Sequence, residues 1–152
     1  GDDLIELKAR LKEFREVNPF NYSPLVASLM ADVYLRCDDV AAAEKILAEG
    51  TKAESYTGET WTSPELLRMR ARVSDAKGAA EEAQSLRKRA LKSANDAGAF
   101  SLSLRVACDM VEATADATSR GLVENALNAM ACTDRGWDVT RARSLLQAAT
   151  PA

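Results

Sequence analysis

SPLVASLMADVYLRCDDVAAAEKILAEG, residues 23 to 50, is the stretch whose reading decides the fold. Pro24 suits the first turn of a helix, where its missing N–H has no partner to lose, and Ser23 stands before it as a cap. The apolar spacing carries that helix to about Arg36. The residues CDD make a short turn, and Asp39 can cap a second helix from Val40 to about Ser55. Small residues mark the faces that meet: Ala31, then Ala43 twelve residues on, then Gly50 after seven more. Two antiparallel helices joined by a tight turn approach closely only where the facing side chains are small. The stretch therefore reads as one helical hairpin.

Outward from it the same device recurs with a period of 40. Ala71, Ala83 and Ala90 follow the first set of small positions, and Val111, Val123 and Met130 follow the second. Gly58 and Gly98 share that spacing, and Ser63 with Pro64 repeats Ser23 with Pro24. Gly58, Gly78 and Gly98 end helices, and DATSR, 116–120, opens another near Ser119. Upstream, Leu4, Leu7, Leu11 and Phe14 lie at helical steps over residues 2–17, and NPFNYSP, 18–24, breaks that helix. The expected chain is one all-α domain, 1–152, an antiparallel helix-hairpin array of about seven to eight helices. Its pairs span about 23–57, 62–96 and 100–130, between an N-terminal helix 2–17 and a C-terminal helix 139–148. No stretch alternates apolar and polar residues as a strand would.

Composition agrees. Of 152 residues 47% are hydrophobic but only 5% aromatic, and the surplus is alanine and leucine, which favours helix. A formal net charge of -3 argues against wholesale electrostatic binding to DNA or anionic lipid. There is no apolar run of membrane-spanning length and no secretory h-region. Cys37, Cys108 and Cys132 are odd in number and far apart, so neither a disulfide framework nor a zinc ruler is visible, and a reduced cytoplasmic setting is expected. A start at Gly1 without methionine reads as an excised fragment.

The absence of histidine removes the commonest general base and metal ligand at once. No phosphate-cradling glycine motif and no nucleophile elbow occur. No enzymatic activity, cofactor or metal is expected. Each cysteine sits among helical apolar residues, as a small buried hydrophobe does. Trp61 and Trp137 read as packing anchors, with Trp61 stapling the turn before the helix at Ser63. Arg68 and Arg72 share a helix face with Glu65 and Asp75, which is unlike a phosphate-tracking stripe. The run Arg87, Lys88, Arg89 and Lys92 follows Glu81 and Glu82 and reads as a solvated outer face, so no direct contact with nucleic acid is expected.

The spacings of 12 and 7 are those of the tetratricopeptide repeat, and Met30, Ala31, Tyr34, Val40, Ala43 and Leu47 all fall where it wants them. The second pair departs, with Arg70 and Ser74 at large apolar positions. The third carries larger residues at the small positions, which sets its helices further apart. Against a usual repeat of about 34 residues, the longer period implies longer second helices. LKEFREV, SPLVASLMADVYLRCDDVAAAEKIL, TGETWTSPELLRMRARV, RALKSANDAGAFSLSLRVA and the closing RGWDVTRARSLLQ resemble the C-terminal tetratricopeptide-like domain of large bacterial signalling ATPases. That group includes winged-helix transcriptional regulators and proteins with an adenylate or guanylate cyclase domain. The resemblance implies a helical array that follows an ATPase module and controls an output domain, as a sensor or partner-binding scaffold.

By the repeat's positional pattern, the first helices of the pairs expose a concave partner-binding face. Its residues are Leu25, Ser28, Asp32, Leu35 and Arg36, then Glu65, Arg68, Arg72 and Asp75, then Arg105, Cys108 and Glu112, with Arg68, Arg72 and Arg105 as an electropositive floor. Such a face suits a peptide, a protein partner or another domain of the same chain. The reading is a non-enzymatic interaction and sensing module of a cytoplasmic bacterial transcriptional regulator with an ATPase module. Two alternatives remain: an effector-binding sensor of a cyclase-linked ATPase, and a free-standing adaptor.

Overall fold

The computed structural model describes residues 2–17, 24–58, 60–130 and 136–148. It is all-α. Eight α-helices follow in order: α1 Asp2–Val17, α2 Pro24–Arg36, α3 Val40–Thr57, α4 Ser63–Ala76, α5 Ala80–Asp96, α6 Phe100–Thr114, α7 Ala117–Ala129 and α8 Trp137–Gln147. The described residues contain no strand. Every helix expected from the spacing is present with ends shifted by a residue or two. Ser23 as a cap and Cys132 as a core residue lie outside the described residues.

The helix ends follow from local chemistry. The Asp39 carboxylate accepts from the Ala42 N–H at 3.1 Å and caps α3, and Asp116 accepts from the Ser119 N–H at 2.7 Å and caps α7. Three helices end in the same way, with the N–H just past a left-handed residue reaching back to a carbonyl of the last turn: Asp39 to Tyr34 at 2.9 Å, Ala79 to Ser74 at 2.8 Å and Ala99 to Ala94 at 2.9 Å. The left-handed position in each is Asp38, Gly78 or Gly98. Asp38 and Gly78 stand one full period apart, so the repeat extends to backbone conformation, with aspartate tolerating what glycine adopts freely. The third hairpin manages without glycine: Ala115 takes φ 51° and donates its N–H to Val111 at 2.8 Å. Its turn is shorter. Whereas α5 begins one full period after α3, α7 begins early, at Ala117, short of a full period after Ala80.

One expectation fails at the start of α4. The cap position belongs to Thr62, not Ser63, because a 3-10 turn over Thr60–Thr62 delivers the chain into the helix. Thr62 makes no capping bond with its side chain, and the Ser63 hydroxyl donates instead to the Glu54 carboxylate.

By compactness the chain divides into two units, Gly1–Leu86 and Arg87–Ala152, the division falling inside α5. In the first unit, Ala27, Met30, Ala31 and Tyr34 of α2 pack with Ala43, Ile46 and Leu47 of α3 and Leu66, Met69 and Val73 of α4. The far end of α3 lies against the start of α2: a Cβ placed on Gly50 would stand 2.6 Å from the Ala27 Cβ. α2 and α3 are therefore antiparallel. α1 is tied to this hairpin by Lys8, whose ammonium pairs with Asp39 and sits 5.6 Å over the Tyr34 ring. In the second unit, Leu104, Ala107, Cys108 and Val111 of α6 pack with Val123 and Ala126 of α7 and Val139 and Ala142 of α8. Of the nine repeat positions, all but Met130 are buried.

Candidate functional site

Twelve residues were expected on one exposed face, and four of them are shut off from water: Ser28 at 1%, Glu65 at 4%, Arg68 at 6% and Cys108 at 0% exposure. Each has a physical reason. The Ser28 hydroxyl donates to the Pro24 carbonyl at 3.1 Å and needs no solvent partner. Glu65 and Arg68 stand one turn apart on α4 and pair through two bonds of 2.9 and 2.8 Å, which lets both charges leave water together. Cys108 belongs to the core of the second unit, and burial pushes its thiol up to about 11.

The expected electropositive floor is also corrected, because each of its three arginines meets a carboxylate. Arg68 holds Glu65, Arg72 holds Asp32 across α2 and α4, and Arg105 reaches Asp138 on α8 at 2.7 Å. Asp32 and Arg72 occupy the same place in successive repeats, one full period apart. Of the three pairs, only this one follows the period of the repeat.

What remains open in the first unit is a stripe along α2. Leu25, Leu29, Asp32 and Arg36 follow one another at steps of four, three and four, so they share a face. Leu29 is 56% exposed and was missed in the sequence reading, although it lies one turn beyond Leu25. Asp32 is shared by two guanidinium groups, Arg36 at 2.8 Å and Arg72. One carboxylate between two arginines leaves a net positive charge beside an apolar step. Leu35 packs partly against the core, and Asp75 is exposed on α4.

In the second unit α6 and α8 are clamped by opposed ion pairs. Arg105 of α6 holds Asp138 of α8, and Arg141 of α8 holds Asp109 at 2.6 Å and Glu112 at 2.7 Å on α6. Burial alone would lower the Arg141 pKa, but the hydrogen bonds to Glu112 and Asp109 outweigh it and raise it. The guanidinium also lies 5.6 Å from the centre of the Trp137 ring. Glu112 is thereby engaged within the fold.

The tryptophans are not core anchors. Trp61, in the 3-10 turn before α4, is 58% exposed, and Trp137, the first residue of α8, is 69% exposed. In the basic run Lys88, Arg89 and Lys92 are exposed as expected, while Arg87 is buried. No group of three or more acidic, cysteine or histidine side chains among the described residues is placed to hold a metal ion. No helix among them is long and apolar enough to cross a membrane.

Compared with protein-family models, curated proteins and solved structures, the chain finds no match.

Proposed function

We propose that this chain is a non-enzymatic protein-interaction and sensing domain of a bacterial transcriptional regulator that carries an ATPase module. The observation that carries the reading is the α2 stripe, where two leucines without full cover adjoin the shared Asp32–Arg36–Arg72 cluster. Apolar steps beside a cluster of net positive charge are what a protein surface presents to a partner segment of acidic and apolar character. The partner is another domain of the same protein, in a cytoplasmic setting.

The open reading frame that encodes these residues tests the assignment. The reading expects an upstream ATPase module with a winged-helix domain. A cyclase domain there would move the output from transcription to second-messenger synthesis. A frame holding these helices alone would replace the regulator with a free-standing adaptor.

A further inference from the structure

A second feature of the first unit shares no residue with the α2 stripe. A cleft of about 360 Å³ opens between α3, α4 and the start of α5, within the size range of small-ligand pockets. Its order is fixed by the antiparallel course of α3 and α4: Glu44 meets Lys77 at 2.8 Å, while Gly50 lies by Leu66 at the other end. Thr51 and Arg70 therefore share one end of the cleft and Glu44 and Lys77 the other. From Arg70 to Lys77 is seven residues of helix, roughly 10 Å.

The two ends differ in chemistry. At the Lys77 end every charge is answered, since Lys77 holds Glu44 and Glu82 accepts from the Ser74 hydroxyl at 3.1 Å. The Glu44 contact raises the Lys77 pKa. At the other end Arg70 is exposed, and its guanidinium makes no ion pair among the described residues. Thr51 donates to the Leu47 carbonyl at 2.9 Å, which leaves its oxygen able to accept. Between the ends lie Leu47, Val73 and Leu86, an apolar floor. In the tetratricopeptide pattern position 70 is a large apolar one, so an arginine there trades packing for a cation facing a cleft.

We propose that the cleft binds a small amphipathic carboxylate, its charged end on Arg70 and its chain along Leu47, Val73 and Leu86. A guanidinium takes a carboxylate through two parallel N–H bonds, and the floor has the length for a short aliphatic chain. The site stands independently of the regulator assignment, because it uses none of the α2 residues.

The test is a titration of the full chain with straight-chain carboxylates from butanoate to decanoate, followed by calorimetry and by amide shifts in two-dimensional NMR. The matching primary alcohols and amines serve as controls. Saturable binding of a carboxylate is expected, with shifts centred on residues 47–51 and 70–74. Arg70→Gln is expected to weaken it at least tenfold and to bring the carboxylate down to the alcohol's affinity. Ala48→Phe, at an exposed position on the cleft wall, is expected to abolish binding with an unchanged circular dichroism spectrum. Three results would each overturn the proposal: no saturable binding of any carboxylate at millimolar concentration, equal binding of acids and amines, or carboxylate binding indifferent to both substitutions.

Discussion

Gly50 shows how a single absent side chain sets the approach of two helices. A Cβ there would stand 2.6 Å from the Ala27 Cβ and 3.0 Å from Leu66 Cδ2. The leucine end can swing aside, but the alanine Cβ moves only with its backbone. Alanine favours a helix interior over glycine by roughly 0.5–1 kcal/mol, and overpacking a tight contact costs about 1–3 kcal/mol. The clash wins. Gly50→Ala is expected to lower unfolding stability by about 1 kcal/mol or more in urea titrations. Gly121 in α7 provides the contrast, since a Cβ there meets nothing within 4 Å. Gly121→Ala is expected to raise stability by roughly 0.5–1 kcal/mol. Gly50 was legible in the sequence as a small position in the repeat. The burial of Glu65 and Arg68 was not, because a repeat pattern states which way a residue faces and not which neighbour answers its charge.

At the scale of elements, α8 stays on α6 through Arg141. Asp109 is 6% exposed at its side chain and Arg141 15%. Arg141→Met keeps the aliphatic stem but removes a cation from the buried Asp109 carboxylate and from Glu112, a loss of about 3 kcal/mol. Amide exchange across Trp137–Gln147 is expected to accelerate in that variant while exchange in α2 stays unchanged. Cys108 adds a pH dependence to the same unit. Its folded thiol is held up to about 11 by burial against an ordinary value of 9.0. Above pH 9 the unfolded chain loses this proton first, so stability falls as pH rises towards 11, and is fully present below 9. Cys108→Ala is expected to flatten that part of the stability profile relative to the parent protein. If the two profiles run parallel from pH 9 to 11, the thiol does not titrate between folded and unfolded chains as its burial requires. The helix ends were largely legible, since caps and left-handed glycines are local chemistry. The turn at Ala115 and the 3-10 entry to α4 were not, because an alanine in the left-handed region and an idle Thr62 carry no sequence signal.

Across the whole molecule, the period shared by small positions, caps and glycines is the strongest statement the sequence makes. It predicts the helix order and the small buried positions in both units, whereas the meeting of Asp32 with Arg72 appears only in the structure. It does not carry the third hairpin's shorter turn, or the division of the chain at Leu86. The expected electropositive floor failed because each arginine found a carboxylate from a different source: Glu65 one turn away on α4, Asp32 one full period back on α2, and Asp138 on α8. What survives of the interaction face is the α2 stripe, and its leucines give the account its central claim. The most direct measurement is calorimetric titration of this chain with the ATPase and winged-helix domains that the proposed function expects in its reading frame, expressed separately, alongside the variants Leu29→Asp and Arg36→Glu. Both substitutions fall at positions outside the core, Leu29 exposed and Arg36 with more than half its side chain in water. The account predicts saturable binding by the parent chain, weakened at least tenfold by either substitution. Absence of binding, or binding that ignores both changes, would contradict it.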